Sequence, residues 1–583
     1  MRKNSRIIWF KLLGCMARQL QLRNCGKRSY SMSNHAYTTL VVAVTAMLLA
    51  AMPSYGQLVG AEPAAARNEP NEPKHFTEVM LGLIPGQISN IVRSPDQRHI
   101  AFIAVKDNKG RVVVDGNAGP VYDIVGEGTL VFSPDSNHMA YAVLKGNKQL
   151  VVVDSNDGPA YDGIWKHTLV FSPDSKRMGY TAQKGNKLVV VVDGQAGPEY
   201  DSIVMKGISA PIFSPDSRRV AYMAWKDAQR LAVIDGEAEP RYDDIGSLVF
   251  SPDSRRVAYV SRKSMKRQVI VDGQAGPAYN DIGKDPPVFS PDGKRIAYRA
   301  RKDNKWQVII DGQAEPEYDD IPEGTVVFSP DGKRAAYVAG NNRKQMVIVD
   351  GQAGPEYDII REGPPIFSPD SKRVAYAAKK DDKWQVVADG NAGPEYDSIK
   401  EGSPVFSPDS NRMAYSAWKG NKWQVIVDNQ SGPEYDDIPE GTVVFSPDSR
   451  RVAYTARNNY KQTIVVDGNV GPEHDSIKKG FPIFSPDGKH IAYMAQKGNK
   501  WQVIVDDKAG AEYDDILEGT LVFSSDGRHV AYTAKKGNKQ LVVVDDQAGP
   551  ECDGIASFPT VRGEGFEAIV IRGKALYRMF WKP

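Results

Sequence analysis

The residues best suited to metal chemistry are few in this chain and stand far apart. Seven of its eight histidines lie beyond residue 56, and no two of them have the spacing that is typical of zinc or iron ligands. Four of the seven stand five residues after a recurring serine, where other copies of the same segment have arginine: His99, His138, His490 and His529. We interpret these four as solvated substitutes for arginine, and we predict neither a metal site nor a cofactor.

Nucleophiles and paired carboxylates give no stronger signal. The chain has no Gly-x-Ser-x-Gly motif, and beyond the N-terminal segment Cys552 is its only thiol. Cys552 and His474 occupy positions where other copies have tyrosine, so we expect both to be packing residues. Adjacent aspartates fit solvated turns better than a weak calcium site; they are Asp243-Asp244, Asp319-Asp320, Asp436-Asp437 and Asp514-Asp515. No catalytic or binding residue is singled out.

The net charge of +2 is an average over two unlike parts of the chain. Residues 1–56 hold eight basic side chains and no acidic one, which leaves 66 basic against 72 acidic residues in the remainder. A mildly acidic body gives no reason to expect a nucleic acid as partner. With 41% hydrophobic and 25% charged residues, the chain is neither mainly disordered nor a polytopic membrane protein.

The N-terminal segment has the layout of a secretory signal. Its uncharged run, residues 38–52, follows a basic stretch and falls short of the roughly twenty apolar residues that a spanning helix needs. We predict a signal peptide over 1–56, cleaved near Gly56, with an uncleaved signal anchor as the alternative and the only expected membrane contact. Residues 57–75 are predicted to be a flexible Ala/Pro/Glu linker. The body is therefore expected to be periplasmic or secreted.

One segment recurs twelve times, mostly at intervals of 39 residues. Ser-Pro-Asp begins at Ser94 and is found eleven times, to Ser485, and a twelfth copy at Ser524 has lost the proline. A second motif, usually Gly-Pro-x-Tyr-Asp, keeps the same interval, as at Tyr318 and Tyr357. A fixed period of this length is the mark of a repeat architecture.

Each copy divides into short apolar runs separated by turn signals. In residues 324–360 the runs are 326–328, 334–339, 346–349 and 357–360, and Gly, Pro, Asn or Asp stands in every gap. Four short strands in about forty residues predict a blade of a β-propeller, and no stretch shows a helical period. The fold class is predicted to be all-β.

The turn Phe-Ser-Pro-Asp-Gly/Ser, followed by Lys/Arg-x-Ala-Tyr, resembles the WD40-like repeat of TolB-type bacterial propellers over residues 76–583. The resemblance implies that the aromatic residue before Ser-Pro-Asp lies on the innermost strand and lines the packing between blades. That position is Phe in the copies from the second onward, from Phe132 to Phe523, and Arg93 in the first.

The number of blades is predicted to be about thirteen. Residues 566–579 match the second and third strands of a further copy, and residues 76–79 stand where a fourth strand would be. The two termini could share this blade, which would hide exposed strand edges. Because single rings usually have four to eight blades, we favour two tandem propellers, 76–321 and 322–583, with a seam near 321 or near 360. One very large ring or an open array is the alternative.

The turns also predict two unlike faces. The second turn is often Lys-Gly-Asn-Lys, as at 145–148, so one face should carry a ring of lysines; ordinary solvation explains it better than an anion-binding or cell-surface role. Four tryptophans share the start of the third strand, and blade packing explains them better than stacking on carbohydrate: Trp306, Trp384, Trp423 and Trp501.

The function favoured by these features is an exported, non-enzymatic scaffold that binds a protein or a surface glycan in the cell envelope. The near-identity of the copies supports this, because catalysis needs one distinctive constellation. The alternative is a propeller hydrolase or lyase that acts on glycan or peptide in a central channel. Only irregular positions could supply its site, namely Trp165-Lys166-His167, the insertion at 205–210, and Arg93.

Overall fold

The computed structural model describes residues 75–84, 87–203, 210–479 and 482–583, apart from the side chain of Ser247. The predicted signal peptide (1–56) and all but the last residue of the predicted linker (57–75) lie outside the described residues. All regular elements in the described ranges are β-strands, which confirms the all-β prediction. They include no helix that could cross a membrane.

The strands form thirteen sheets, which we number as blades 1 to 13 in chain order, with Ser94 in blade 1. The first strand of most blades consists of two short segments that both pair with the second strand. The first strands are Gln87–Arg93; Ile124–Val125 and Val131–Phe132; Gly163–Ile164 and Val170–Phe171; Ser202–Ile203 and Ile212–Phe213; Asp244–Phe250; Asp281–Ile282 and Val288–Phe289; Val327–Phe328; Ile359–Ile360 and Ile366–Phe367; Ser398–Ile399 and Val405–Phe406; Val444–Phe445; Ser476–Ile477 and Ile483–Phe484; Asp515–Ile516 and Val522–Phe523; and Gly554–Arg562.

The second and third strands are the longest and form the centre of each sheet. The second strands are Ile100–Lys106, Met139–Lys145, Met178–Lys184, Val220–Lys226, Val257–Lys263, Ile296–Lys302, Ala335–Asn341, Val374–Lys380, Met413–Lys419, Val452–Asn458, Ile491–Lys497, Val530–Lys536 and Gly565–Arg572. The third strands are Lys109–Val114, Lys148–Val153, Lys187–Val192, Gln229–Ile234, Lys266–Val271, Lys305–Ile310, Lys344–Val349, Lys383–Ala388, Lys422–Val427, Lys461–Val466, Lys500–Val505, Lys539–Val544 and Ala575–Trp581.

The fourth strand is the short outer edge of each blade. In blades 1 to 12 it is Asn117–Ala118, Asn156–Tyr161, Gln195–Tyr200, Glu237–Ala238, Gln274–Ala275, Gln313–Ala314, Gln352–Ala353, Asn391–Ala392, Gln430–Tyr435, Asn469–Val470, Lys508–Ala509 and Gln547–Ala548. In blade 13 it is Phe76–Leu83, from the other end of the chain.

Alternation along the second strand explains why both faces of a blade are buried. In blade 7, Ala335, Tyr337 and Ala339 pack against blade 6, whereas Val338 packs against blade 8. Since side chains point alternately to the two faces of a strand, a strand covered on both faces is apolar throughout. The hairpin to the third strand turns through Asn342 and Arg343, which both have positive φ (49° and 66°), the geometry of the type I′ turn.

The Gly-Pro-x-Tyr-Asp motif crosses from one blade to the next, so the expectation of a single fourth strand over 357–360 is wrong. Tyr357 pairs with Gln345 of blade 7, whereas Ile359–Ile360 pairs with the second strand of blade 8. In nine of the thirteen interfaces the repeat tyrosine stands edge-to-face on a tyrosine of the next blade, as Tyr357 does on Tyr376 at 6.2 Å. This arrangement is favoured for aromatic pairs and explains why two tyrosines recur in each copy.

The termini share blade 13, as predicted. Phe76–Leu83 pairs antiparallel with Ala575–Trp581, so the N-terminal strand is the fourth strand of the C-terminal blade. Phe76 is 3% exposed and packs with residues of blades 12 and 13. On the other side, Ile569 and Leu576 of blade 13 pack on Ile100 and Phe102 of blade 1.

The blades close into a single ring. Thirteen hydrophobic clusters join each blade to the next, including blade 13 to blade 1. Packing runs without interruption through both expected seams, since Ile321 and Ile360 lie within such clusters. The favoured pair of tandem propellers is therefore not supported, and the alternative of one very large ring is confirmed. Seams were expected because most propellers have fewer blades, but equal interfaces close whenever their rotation sums to a full turn.

Candidate functional site

Each Ser-Pro-Asp turn is a closed set of hydrogen bonds rather than a reactive group. Ser329 Oγ donates to Asp331 Oδ1 at 2.7 Å and accepts the N–H of Arg334 at 3.0 Å. The N–H of Asp331 donates to the hydroxyl of Ser371 in blade 8, at 2.9 Å. The bonds that its carboxylate accepts, chiefly from Ser329, lower the pKa of Asp331. The motif therefore fixes the turn and ties neighbouring blades together.

An arginine five residues after the motif serine binds the next blade. Arg334 donates through Nε to Asp350 at 2.8 Å and through a terminal nitrogen to the Lys372 carbonyl of blade 8 at 2.6 Å, and its guanidinium lies 5.5 Å from the ring centre of Phe367. All eight blades from 3 to 10 have this arginine over the phenylalanine of the next blade. Eight of the phenylalanines carried over from the family resemblance, from Phe213 to Phe484, thus lie half-buried between blades, under an arginine.

The four histidines at this position keep one of the arginine's contacts. In blades 1, 2, 11 and 12, His Nδ1 lies 2.6 Å from the aspartate that arginine binds elsewhere. The interpretation of His99, His138, His490 and His529 as substitutes for arginine is confirmed. They are not simply solvated, however, because each one binds an aspartate. All four are partners of a carboxylate and 23–43% exposed.

The opposite face, formed by the hairpins between second and third strands, carries the predicted lysines, and the second lysine of each Lys-Gly-Asn-Lys turn is paired with an aspartate. In blade 11, Lys500 Nζ binds Asp514 Oδ1 at 2.6 Å, and the other oxygen of Asp514 accepts the N–H of Gly537 in blade 12 at 2.6 Å. The first lysine of the turn, Lys497, is exposed. The aspartate of each Tyr-Asp motif is therefore part of a contact between blades, and its lysine is not available to a ligand.

The four tryptophans lie at blade interfaces, at the start of third strands. Each packs against an inter-blade cluster, and a cation stacks on each ring at 4.3–4.7 Å: Arg299 on Trp306, Arg361 on Trp384, Lys400 on Trp423 and Lys478 on Trp501. The same cations reach the next blade, as Lys400 does to Asp437 at 2.9 Å. Packing thus accounts for these tryptophans, and the cations that accompany them were not singled out from the sequence.

Blade 10 lacks this pair, with Pro439 and Gln462 at the two positions, and a recess of about 900 Å³ opens there. Lys400 and Lys478 line its two sides, only 18% and 12% exposed, and Lys478 binds Asp515 at 2.6 Å. Thr455 and the exposed Glu440 complete a polar lining. The recess can hold a polar group, but every cation in its buried wall already has a carboxylate partner.

Two of the irregular positions considered for an enzyme lie in different blades, Trp165-Lys166-His167 in blade 3 and Arg93 in blade 1. Trp165 and His167 lie in the first-strand turn of blade 3, with Trp165 42% exposed. Arg93 lies at the junction of blades 13 and 1, where Nε donates to the Ala556 carbonyl and the guanidinium stacks on Phe558 at 4.9 Å. The insertion at 205–210 lies outside the described residues except for Ala210, which is buried.

His474 and Cys552 occupy the buried tyrosine position of their copies. His474 stands edge-to-face on Tyr493 at 5.7 Å, and burial lowers its pKa. Cys552 is fully buried and donates to the Gln540 carbonyl, and burial raises its pKa to about 11. A thiol held in its neutral form is a poor nucleophile, so both act as the packing residues that were expected.

Most of the adjacent aspartates are also bound within the protein, as the pair Asp436-Asp437 illustrates. Asp436 accepts from Lys422 at 2.6 Å and from the Asn459 N–H at 2.8 Å, while Asp437 binds Lys400. No group of three or more candidate metal ligands occurs among the described residues.

The fold and these contacts define a β-propeller of thirteen blades, which confirms the propeller fold that the family resemblance implied. No protein-family model and no curated protein matches the chain. Similar solved structures include a eukaryotic initiation factor, with 14% identity over 60% of this chain and 97% of that chain, at a TM-score of 0.29. TolB from Acinetobacter baumannii has 16% identity over 49% and 79%, at 0.20. The Cps50 (Swd1) propeller of Myceliophteria thermophila has 14% over 43% and 93%, at 0.22.

Proposed function

We propose that the protein is an exported, non-enzymatic scaffold that binds other proteins in the cell envelope. The observation that carries the proposal is the closed ring in which serine, aspartate, arginine and lysine side chains bind one blade to the next. A rigid ring presents the same exposed turns on each face many times over. Broad, rigid, repeated surfaces are what propellers offer to partners.

Export is supported by the sequence of residues 1–56 and is tested separately. We expect the protein in the envelope fraction, with a mature N-terminus near Gln57. Intact residues 1–56 on a soluble cytoplasmic protein would contradict export.

Binding can be tested by placing a photo-crosslinking amino acid on each face. Tyr460, 94% exposed at a hairpin tip, reports on the hairpin face; Lys333, in a Ser-Pro-Asp turn, reports on the other. We expect one face to give a discrete, saturable adduct in envelope preparations and the other to serve as its control. The same adduct should form from the equivalent position of a neighbouring blade, and purified partner should compete for it.

Equal labelling from both faces without saturation would overturn the scaffold proposal. Turnover of a glycan or peptide library by the purified ring would favour the alternative, an enzyme with its site in the central opening. The matched variant for that result is Lys400→Met, which alters the recess and leaves both faces unchanged.

A further inference from the structure

Eight blades contain a guanidinium site that this chain fills with its own arginine. In blade 3, Arg177 binds Asp193 at 2.8 Å and the Arg218 carbonyl of blade 4 at 2.7 Å, and its guanidinium lies 5.4 Å from the ring centre of Phe213. A carboxylate, a carbonyl and an aromatic face together satisfy the charge, the planar donors and the flat face of a guanidinium.

Blades 1 and 2 retain the site but lack the arginine. His138 binds Asp154 at 2.6 Å, and its ring centre is 6.5 Å from that of Phe171 in blade 3. An imidazole is shorter than an arginine side chain and has no terminal nitrogens to reach the next blade. The Lys176 carbonyl, which corresponds to that of Arg218, therefore receives no guanidinium from blade 2.

Cavities lie at two of the four interfaces where histidine replaces the arginine, those between blades 1 and 2 and between blades 2 and 3. A cavity of about 510 Å³ between blades 2 and 3 is lined by His138, Asp154 and Phe171, with Val151 and Met178 among its apolar walls. A second cavity, of about 400 Å³, lies between blades 1 and 2. At the interface of blades 12 and 13, in contrast, the Trp581 ring lies 4.9 Å from His529 and occupies the corresponding side of the imidazole.

We propose that the cavity between blades 2 and 3 binds an arginine side chain of a partner protein, in the place that this chain's own arginine takes in blades 3 to 10. The inference rests on the proposed function, since it names the partner chemistry for one part of the ring. The guanidinium stacks on Phe171 and donates to the Lys176 carbonyl, while Asp154 supplies negative charge. The apolar walls cover the methylene stem.

The cavity between blades 1 and 2 is the weaker of the two sites. Its corresponding carboxylate, Asp115, is bound by both His99 and Arg578, the latter at 3.0 Å, and is only 14% exposed. Asp154 has His138 as its partner and is 40% exposed. The carboxylate of the cavity between blades 2 and 3 therefore has more capacity to attract a further cation.

The two cavities are one blade apart, which sets the spacing of a divalent ligand. Packed sheets lie about 10 Å apart and an extended chain advances about 3.3 Å per residue, so two arginines about three residues apart reach both sites. Joining them raises affinity, because the second contact becomes intramolecular.

The test uses Nα-acetyl-arginine amide as the probe, with its citrulline and leucine analogues as controls, in ligand-observed NMR on the whole protein. We expect saturation transfer to the arginine compound and at least tenfold less to citrulline, which has the same shape without the charge. An Arg-Gly-Gly-Arg peptide should bind more tightly than the single amide.

The decisive variants replace the histidines by arginine, so that the chain's own side chains fill the proposed sites. His138→Arg restores the side chain that eight other blades carry, so we expect it to fold, to raise the melting temperature and to remove most of the signal. His99→Arg/His138→Arg should remove the rest. His474→Tyr also restores a repeat residue, at a distant interface, and should leave probe binding unchanged.

Three results would overturn the proposal: no transfer to the arginine compound, equal transfer to the citrulline or leucine compound, or undiminished binding by the double variant. The probe needs no partner protein, so a failed search for partners would count against the scaffold function and leave this result standing.

Discussion

The N-terminal strand closes the ring, and the change Phe76→Ala tests that closure. Phe76 is 3% exposed, packs with Val542 of blade 12 and Trp581 of blade 13, and lies so close to Gly549 that a Cβ there would be 2.9 Å from its ring. Removing a buried phenylalanine side chain costs about 3–5 kcal/mol. Since each 1.4 kcal/mol is tenfold, opening of the closure should become about two to three and a half orders of magnitude more frequent.

Hydrogen exchange followed by mass spectrometry measures this opening strand by strand. In a single ring the effect must appear in Ala575–Trp581, the partner of Phe76–Leu83 although almost 500 residues away in the chain. Exchange should also rise at the edges of blades 12 and 1. Leu83→Ala is the matched control, because Leu83 lies on the same strand but is 65% exposed, and exposed substitutions stay within about 0.5 kcal/mol.

Faster exchange only near the N-terminus of Phe76→Ala, with Ala575–Trp581 unchanged, would contradict closure by this strand. A boundary between a protected and an exchanging half near residue 321 or 360 would contradict the single ring, because two separate rings would give that result.

Three further predictions concern side chains whose roles the structure defines. Cys552 should react with a thiol reagent about a hundredfold more slowly than an ordinary thiol, since burial raises its pKa from 9.0 to about 11; rapid labelling of the native protein would contradict its burial. Lys478→Met leaves Asp515 without its 2.6 Å partner and should lower the free energy of unfolding, measured in urea, by about 2–3 kcal/mol, less than for a fully buried pair because Asp515 keeps contact with water. The exposed Lys497→Met is its control, and equal effects of the two would refute the difference. The pKa of Asp370 is held at about 2 by the Ser368 hydroxyl and the Lys372 N–H. Its contribution to stability is therefore present above about pH 4 and is lost as the pH falls toward 2. Asp370→Asn should show a smaller fall in the urea midpoint of unfolding over that range, and a pH profile equal to that of the unchanged protein would argue against this role.

The blade could be predicted from sequence because its signals are local and repeated. The apolar second strand, the Ser-Pro-Asp turn and the glycines of the following turns each act within a few residues, and twelve copies make each signal unmistakable. The shared blade was predictable for the same reason, since residues 76–79 and 566–579 are incomplete parts of one repeat. The number of rings could not be predicted in the same way. It depends on the angle of rotation between neighbouring blades, and no single residue encodes that angle.

The contacts between blades were missed because their partners are about forty residues apart. Arg334 reads in sequence as an ordinary charged residue of a turn, yet it binds its own Asp350 and the backbone of blade 8. The co-occurrence of Trp384 with Arg361, and of Trp423 with Lys400, was visible in the copies. Their stacking could have been inferred by comparing copies that have the tryptophan with copies that have glutamine.

Closure of the ring brings together the blades in which histidine replaces the repeat arginine. Read along the chain, His99 and His138 stand near one end and His490 and His529 near the other. In the ring, blades 11, 12, 1 and 2 all flank blade 13, the one blade built from both termini. Blade 13 has no Ser-Pro-Asp turn, and it reaches blade 1 instead through Arg578, which binds the Arg98 carbonyl and Asp115, and through Arg98 itself, which binds the buried Glu567. The arginine that stacks on the phenylalanine of the next blade is thus absent from one continuous arc, and the two cavities proposed to bind an arginine side chain lie within that arc, on the side of blades 1 to 3. A ligand that supplies arginine there would complete contacts that the other eight blades make for themselves, so it should stabilise the arc beside the closure more than any other part of the ring.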